Sequence, residues 1–236
     1  MAQGPRSDSR LAFIVGCPRS GTTWTWGLLN AHPDTEALVP ADLGQDDPSP
    51  ETAVFMTLKD HEARAVIDKK LDEHPGKLII EKTPWHANQI NRIWKLYPSA
   101  KIIFVRRDPR ATINSMLLNG QASGTPSAWG LQKSIRIYGR MRGFWNDHKD
   151  DARVHTVWYE DMAKAPHLTY AKMLSFLGLP SDREIVETAV SANHMTPAFV
   201  SKGVLRKGTV DSFKEELPQG EIDLISRLFR DDLAVA

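Results

Sequence analysis

The turn Gly16-Cys17-Pro18-Arg19-Ser20-Gly21-Thr22-Thr23 follows an apolar run and opens a segment of helical character, and its residue types suit an anion. Glycines at both ends let the backbone turn its N–H groups inward. The helix beyond adds the N–H groups of its first turn, which have no intrahelical acceptor. A nucleoside-triphosphate loop reads G-x-x-x-x-G-K-[ST], with the lysine reaching the β- and γ-phosphates. Here Thr22 stands at the lysine position, and the cation within the turn is Arg19. The loop keeps the anion nest and drops the ATP-specific group. A nucleotide whose transferred group is not a γ-phosphoryl fits that pattern.

Further basic turns recur along the chain. In Lys101 to Ser115, KIIFVRRDPRATINS, an apolar run ends at Arg106-Arg107; Asp108 then reads as a helix N-cap and Pro109 as the first helical residue. An arginine fork there can donate two hydrogen bonds to one phosphate monoester. Glu81-Lys82-Thr83-Pro84 closes another apolar run with a lysine. Trp158-Tyr159-Glu160-Asp161-Met162 leads into a helix ended by Gly178 and Pro180. Arg206-Lys207-Gly208-Thr209-Val210-Asp211-Ser212-Phe213-Lys214 is a charged loop.

The order and wording of these segments resemble the sulfotransferases that use 3′-phosphoadenosine 5′-phosphosulfate (PAPS). The resemblance implies that Arg19, Ser20, Gly21, Thr22 and Thr23 hold the 5′-phosphosulfate, with Trp24 and Tyr159 near the adenine. It implies that Arg107 and Ser115, at the family's spacing, read the 3′-phosphate, and that Arg206, Lys207 and Gly208 close over it. Asp211 and Phe213 depart from the family's glycine and tryptophan in that last loop. Lys82 falls on the family's catalytic lysine, while Pro84 replaces the histidine that serves cytosolic members as base. Glu81 is then the first candidate for proton acceptor, followed by Asp42, with Glu36 and His86 behind them. Strict strand alternation would turn Glu81 away from Lys82, so its role requires the strand to have ended by Ile80. The resemblance implies PAPS as donor, adenosine 3′,5′-bisphosphate (PAP) as product, and a hydroxyl or amine of a small-molecule or carbohydrate acceptor. The rival readings are a nucleoside or nucleotide kinase on the same fold and a nucleotide-binding family member without chemistry.

The elements that must position these residues follow from periodicity. Strand-like runs at 11–15, 77–80, 101–105 and 153–158 alternate with helical patterns, which predicts an α/β three-layer sandwich: a mainly parallel sheet with helices on both faces, P-loop nucleotide-hydrolase-like. Ligands of such sheets sit beyond the carboxyl ends of the strands, where Arg19, Lys82, Arg107 and Tyr159 all fall. Residues 33–50 and 119–127 read as irregular excursions that wall an acceptor site, with Phe55, Trp85, His86 and Trp129 as lining candidates. One helix is expected over 51–74, others from Gly21 to Asn30 and around 128–149, and a last one over 221–233.

The 236 residues suit a single domain, with residues 1–10 read as an N-terminal tail. Thirty Lys and Arg against 29 Asp and Glu give a net charge of +1, unlike the broad basic footprint of a nucleic-acid binder. The single cysteine, Cys17, fits a reducing compartment and a small buried turn residue. No apolar run approaches a membrane span and no His/Cys/carboxylate cluster has metal-ligand spacing. The expectation is a cytoplasmic protein without a metal requirement.

Overall fold

The computed structural model describes residues 8–47, 49–122, 130–193 and 210–233. Five strands, β1 (Leu11–Gly16), β2 (Thr35–Leu38), β3 (Leu78–Lys82), β4 (Lys101–Arg106) and β5 (Val154–Trp158), form one sheet in the order β2-β3-β1-β4-β5. Every pairing is parallel. The helices are α1 (Thr22–Asn30), α2 (Val54–Thr57), α3 (Asp60–Glu73), α4 (Ile90–Leu96), α5 (Pro109–Ala122), α6 (Leu131–His148), α7 (Tyr159–Lys164), α8 (Pro166–Leu177), α9 (Arg183–Ala192), α10 (Phe213–Glu216) and α11 (Gln219–Leu228). This is the three-layer α/β sandwich expected from the alternation of strand and helix patterns.

Both faces of the sheet are covered, so its strands read as apolar runs rather than alternating ones. Phe13 and Val15 of β1, Ile79 of β3 and Ile102 and Phe104 of β4 pack with α2 to α6, α10 and α11. Ala12 and Ile14, Ile80, and Ile103 and Val105 face the other way, into α1, α7, α8 and α9. Leu28 and Leu29 of α1 are fully buried there, each contributing about 1.5–3 kcal/mol of transfer free energy. The chain leaves β1 toward β3 and β2 but leaves β4 toward β5. A crevice opens between the ends of β1 and β4, the switch point at which open α/β sheets take their ligands.

Five local expectations need correction. Residues 35–38, read as part of an irregular excursion, form the edge strand β2, because Thr35-Glu36-Ala37-Leu38 pairs in register with Leu78 to Glu81. The helix expected over 51–74 is two helices. Arg92 breaks it by donating hydrogen bonds to the carbonyls of Phe55 and Leu58 (2.8 Å to Leu58) and to Asp60 (2.7 Å), so the chain turns at the α2–α3 corner. Strand β3 runs through Lys82 instead of ending by Ile80. The final helix stops at Leu228, and Arg230–Asp232 forms a 3-10 turn. At the other end, Asp8–Arg10 is a 3-10 turn rather than tail, with Arg10 donating to the carbonyls of Leu71, His74 and Lys77.

The end of β1 depends on Gly16. Its φ is +150°, and a Cβ there would lie 2.3 Å from the Val105 carbonyl oxygen of β4. Gly44 also has positive φ, +71°, but nothing lies within 4 Å of its would-be Cβ. Gly16→Ala should therefore lower stability by roughly 2 kcal/mol or more, and Gly44→Ala by only about 1 kcal/mol. Urea unfolding of both variants checks this; equal losses would mean that the close approach of β1 to β4 carries no strain.

Candidate active site

Strand register brings the chemistry to one edge of the sheet. Ile14 pairs with Lys82, Gly16 with Val105, and Arg106 with Trp158. Because side chains alternate, adjacent residues at each strand end serve opposite faces. On the α1 face stand Lys82 and Arg107; on the far face stand Glu81 and Arg106.

The anion loop leaves β1 at Gly16 and enters α1 at Thr22. Ser20 N–H donates to the Cys17 carbonyl (3.0 Å) and its hydroxyl to the Val105 carbonyl (3.2 Å), which curls the turn back on the sheet. Arg19 takes a left-handed φ of 74°. Gly21, with φ +105°, fits because a Cβ would meet the Tyr159 ring at 2.5 Å. The Thr22 side chain, at the position of the missing lysine, is buried. Burial also pushes the Cys17 thiol up, with Arg106 opposing, so a thiolate nucleophile is disfavoured there.

The structure brings Arg19, Arg107, Ser115 and Tyr159 together. Arg19 Nε donates to Ser115 Oγ (3.3 Å), Arg107 Nη1 to the Arg19 carbonyl (3.3 Å), and the Arg107 guanidinium lies 4.2 Å from the Tyr159 ring centroid. Tyr159 packs edge-on to Trp24, which is buried with its indole N–H on the Asn193 carbonyl (3.0 Å). Asp108 Oδ1 accepts the Arg110 N–H (2.8 Å), capping α5, and Asp108 N–H donates to Glu160 Oε1 (2.9 Å). Glu160 thus fixes the turn that carries Arg107, a role the bare sequence did not mark. Arg206, Lys207, Gly208 and Trp129 lie outside the described residues.

Lys82 is almost wholly buried. Its Nζ donates to Glu51 Oε1 (2.7 Å) and Thr23 Oγ1 (3.3 Å), and the Glu51 side chain is 38% exposed. Burial lowers the Lys82 ammonium from its ordinary value, with the Glu51 carboxylate pulling it back. Sequence reasoning missed Glu51. It lies far from Lys82 in the chain and belongs to no motif; its position at the end of the 33–50 excursion was the one available signal.

The carboxylates singled out from sequence have other partners. Asp42 accepts the Val39 N–H (2.8 Å) and pairs with Lys70 (3.1 Å), which also holds Glu36 (3.3 Å). Glu81 points away from Lys82, as alternation requires, and is sealed on the opposite face. Its Oε1 accepts from the hydroxyls of Thr83 (2.6 Å) and Thr52 (2.7 Å), and its Oε2 pairs with His86 Nδ1 (2.8 Å). His86 Nε2 accepts the Phe55 N–H (3.2 Å), which places the ring proton on Nδ1. Phe55 and His86, proposed as acceptor-lining residues, are buried against Phe13 in this cluster. Arg106, the far-face partner of Arg107, is likewise structural: its guanidinium lies 3.8 Å from Trp145 and 4.6 Å from Trp158 and pairs with Asp232 (2.9 Å).

Burial alone would raise the Glu81 carboxyl, but the His86 ring and the Thr83 and Thr52 hydroxyls outweigh it and hold it below the ordinary carboxylate value. A carboxylate depressed in the folded state contributes stability above its unfolded pKa, about 4.3, and loses it as the pH falls through the folded value. Glu81→Gln should therefore flatten the acid side of the stability curve below about pH 4.3. Urea midpoints between neutral pH and pH 3 check this; a variant that loses stability with acid as steeply as the parent would contradict it.

Comparisons with known proteins bear on the family and the fold. A family model described as the sulfotransferase family matches residues 12–183. A putative protein-tyrosine sulfotransferase of Caenorhabditis briggsae is 33% identical over 121 residues, 46% of this chain and 43% of that protein. Protein-tyrosine sulfotransferase 1 of Danio rerio is 29% identical over 127 residues, 47% of this chain and 36% of that protein. The chain thus spans less than half the length of these curated relatives. Among solved structures, a mouse sulfotransferase complexed with PAP aligns with TM-score 0.66 at 18% identity, over 95% of this chain and 84% of that one. A sulfotransferase domain from the curacin biosynthetic pathway aligns with TM-score 0.60 at 18% identity, over 93% and 96%. Among the described residues, no helix is long and apolar enough to cross a membrane. With the family model spanning the sheet edge and every strand that supplies it, this chain belongs to the sulfotransferase family.

Proposed function

We propose that the chain transfers a sulfuryl group from PAPS to a phenolic hydroxyl, with a tyrosyl side chain as the acceptor. The observation that supports it most is the pairing of a buried Lys82 with a half-exposed Glu51 beside a lysine-free anion loop. The relatives named protein-tyrosine sulfotransferases supply the acceptor class.

In this reading the N–H groups that open α1, together with Arg19, hold the 5′-phosphosulfate. Arg107 and Ser115 hold the 3′-phosphate, with Arg206, Lys207 and Gly208 assigned to the same phosphate on sequence alone. Transfer forms a bond from the acceptor oxygen to sulfur and breaks the bond from sulfur to the bridging oxygen, whose electron pair leaves on PAP. Lys82 stabilises that developing negative charge, the kind of contact that strengthens in the transition state. The acceptor proton goes to Glu51, whose Oε2 makes no hydrogen bond to the described residues and whose Oε1 is oriented by Lys82.

Two measurements test the assignments. Arg107→Ala should weaken PAP far more than adenosine 5′-monophosphate, which lacks the 3′-phosphate; calorimetry showing equal weakening would remove Arg107 from that phosphate. Lys82→Ala should lower turnover about 10²–10³-fold, much more than it weakens PAP. Radiolabelled PAPS with a tyrosine-containing peptide reads that turnover. A parent protein that binds PAP yet labels no tyrosine would overturn the acceptor class.

A further inference from the structure

The far-face cluster beneath Lys82 does more than fill space. Thr83 Oγ1 accepts the Ala53 N–H (3.0 Å), Thr52 Oγ1 accepts the Val54 N–H (3.2 Å) while donating to Glu81, and His86 Nε2 accepts the Phe55 N–H (3.2 Å). Three successive backbone N–H groups, 53 to 55, therefore end on side chains that all bond to the Glu81 carboxylate. Ala53 is held in a left-handed conformation, φ 51°, costly for a residue with a Cβ. Such a conformation persists where surrounding bonds over-determine it. The residue next to this pinned segment is Glu51, whose carboxylate reaches across to Lys82.

We propose that Glu81, acting through Thr52, Thr83 and His86, is a positioning residue that sets where the Glu51 carboxylate stands relative to Lys82. The inference rests on the reading of Glu51 as proton acceptor. Adjacent residues of one strand then divide the work: Lys82 meets the transferring group, and Glu81 anchors, from the other face, the segment that carries the base. The ring proton on His86 Nδ1 fits this arrangement, since Nδ1 donates to Glu81 while Nε2 stays free to accept the Phe55 N–H. Thr52 is the link next to Glu51, and it is buried, so its hydroxyl has no solvent contact to substitute for Glu81.

A double-mutant cycle on the full chain tests this, with radiolabelled PAPS and a tyrosine-containing peptide, and with PAP affinity measured for every variant. Glu51→Gln should lower turnover about 10²–10⁴-fold with PAP affinity retained. Thr52→Val, which keeps the shape and removes the link, should lower turnover about 10–100-fold through misplacement of Glu51. In the Glu51→Gln background the same Thr52→Val change should alter turnover less than about twofold, because the group it positions is already gone. Glu81→Gln should show the same dependence on Glu51. Thr52→Val lowering turnover by one factor in both backgrounds would make the cluster a general support of the fold and overturn the proposal, as would turnover untouched by Thr52→Val. Turnover untouched by Glu51→Gln, with PAP bound, would instead strike the proton-acceptor reading and the positioning proposal with it. Loss of PAP binding by the parent protein would strike the donor reading.

Discussion

The two-residue alternation of side chains at the ends of β3 and β4 is the constraint on which the site depends. A parallel strand cannot aim neighbouring residues at one ligand. Each of these strand ends therefore offers one residue to the crevice and one to the opposite layer. β3 gives Lys82 to the crevice and Glu81 to the support; β4, with the residue after it, gives Arg107 to the crevice and Arg106 to the support. In both cases the hidden residue is charged, buried and fully engaged. Arg106 lies against two tryptophans and pairs with Asp232, and Glu81 has three hydrogen-bonding side chains around it.

Electrostatics explain why the hidden charges are so heavily partnered. An ionised group removed from water costs several kcal/mol unless its hydrogen bonds are replaced. Lys82 is as buried as Glu81 yet, among the described residues, its hydrogen-bonding side-chain partners are Glu51 and Thr23 alone. Its pairing is lopsided: one partner is a hydroxyl at 3.3 Å and the other a carboxylate open to solvent on one side. In the proposed reaction an incoming phosphosulfate would supply the negative charge that completes the environment of Lys82, and Glu51 would then be available to the acceptor. In that reaction the same low-dielectric setting would strengthen the interaction of Lys82 with charge that develops during transfer.

The fold was legible where local chemistry and tertiary structure agree. Buried β1, β3 and β4 read as apolar runs and half-buried β5 as a strand-like run, Asp108 and Pro109 mark the start of α5, and the strand-to-helix turn at Gly16 suggests an anion site. Edge strand β2 was not legible: Thr35-Glu36-Ala37-Leu38 is short, lies among turn residues, and is a strand because of its pairing with β3. The break between α2 and α3 comes from Arg92, distant in sequence, so a pattern over 51–74 showed one helix. At the candidate site, Arg19, Arg107 and Lys82 could be proposed from the sequence because each sits at or just beyond the end of a strand, and Ser115, in the middle of α5, because of its spacing from Arg107. Glu51 could not, since its relation to Lys82 arises from a segment folded back across the sheet edge. Glu81 was legible as a candidate, and alternation already turned it away from Lys82; what the sequence did not show is that the strand runs two residues past Ile80, through Lys82.

The most direct test of this division between the two faces is a crystal structure of the chain bound to PAP. The account predicts the 5′-phosphate on the amides of the Gly16–Thr23 loop with Lys82 turned toward it, and the 3′-phosphate on Arg107 and Ser115. It also predicts Glu51 at the open side of Lys82 and Glu81 still sealed against His86, Thr52 and Thr83. A nucleotide whose phosphates touch neither Lys82 nor Arg107, or a Glu81 carboxylate turned into the crevice, would contradict it.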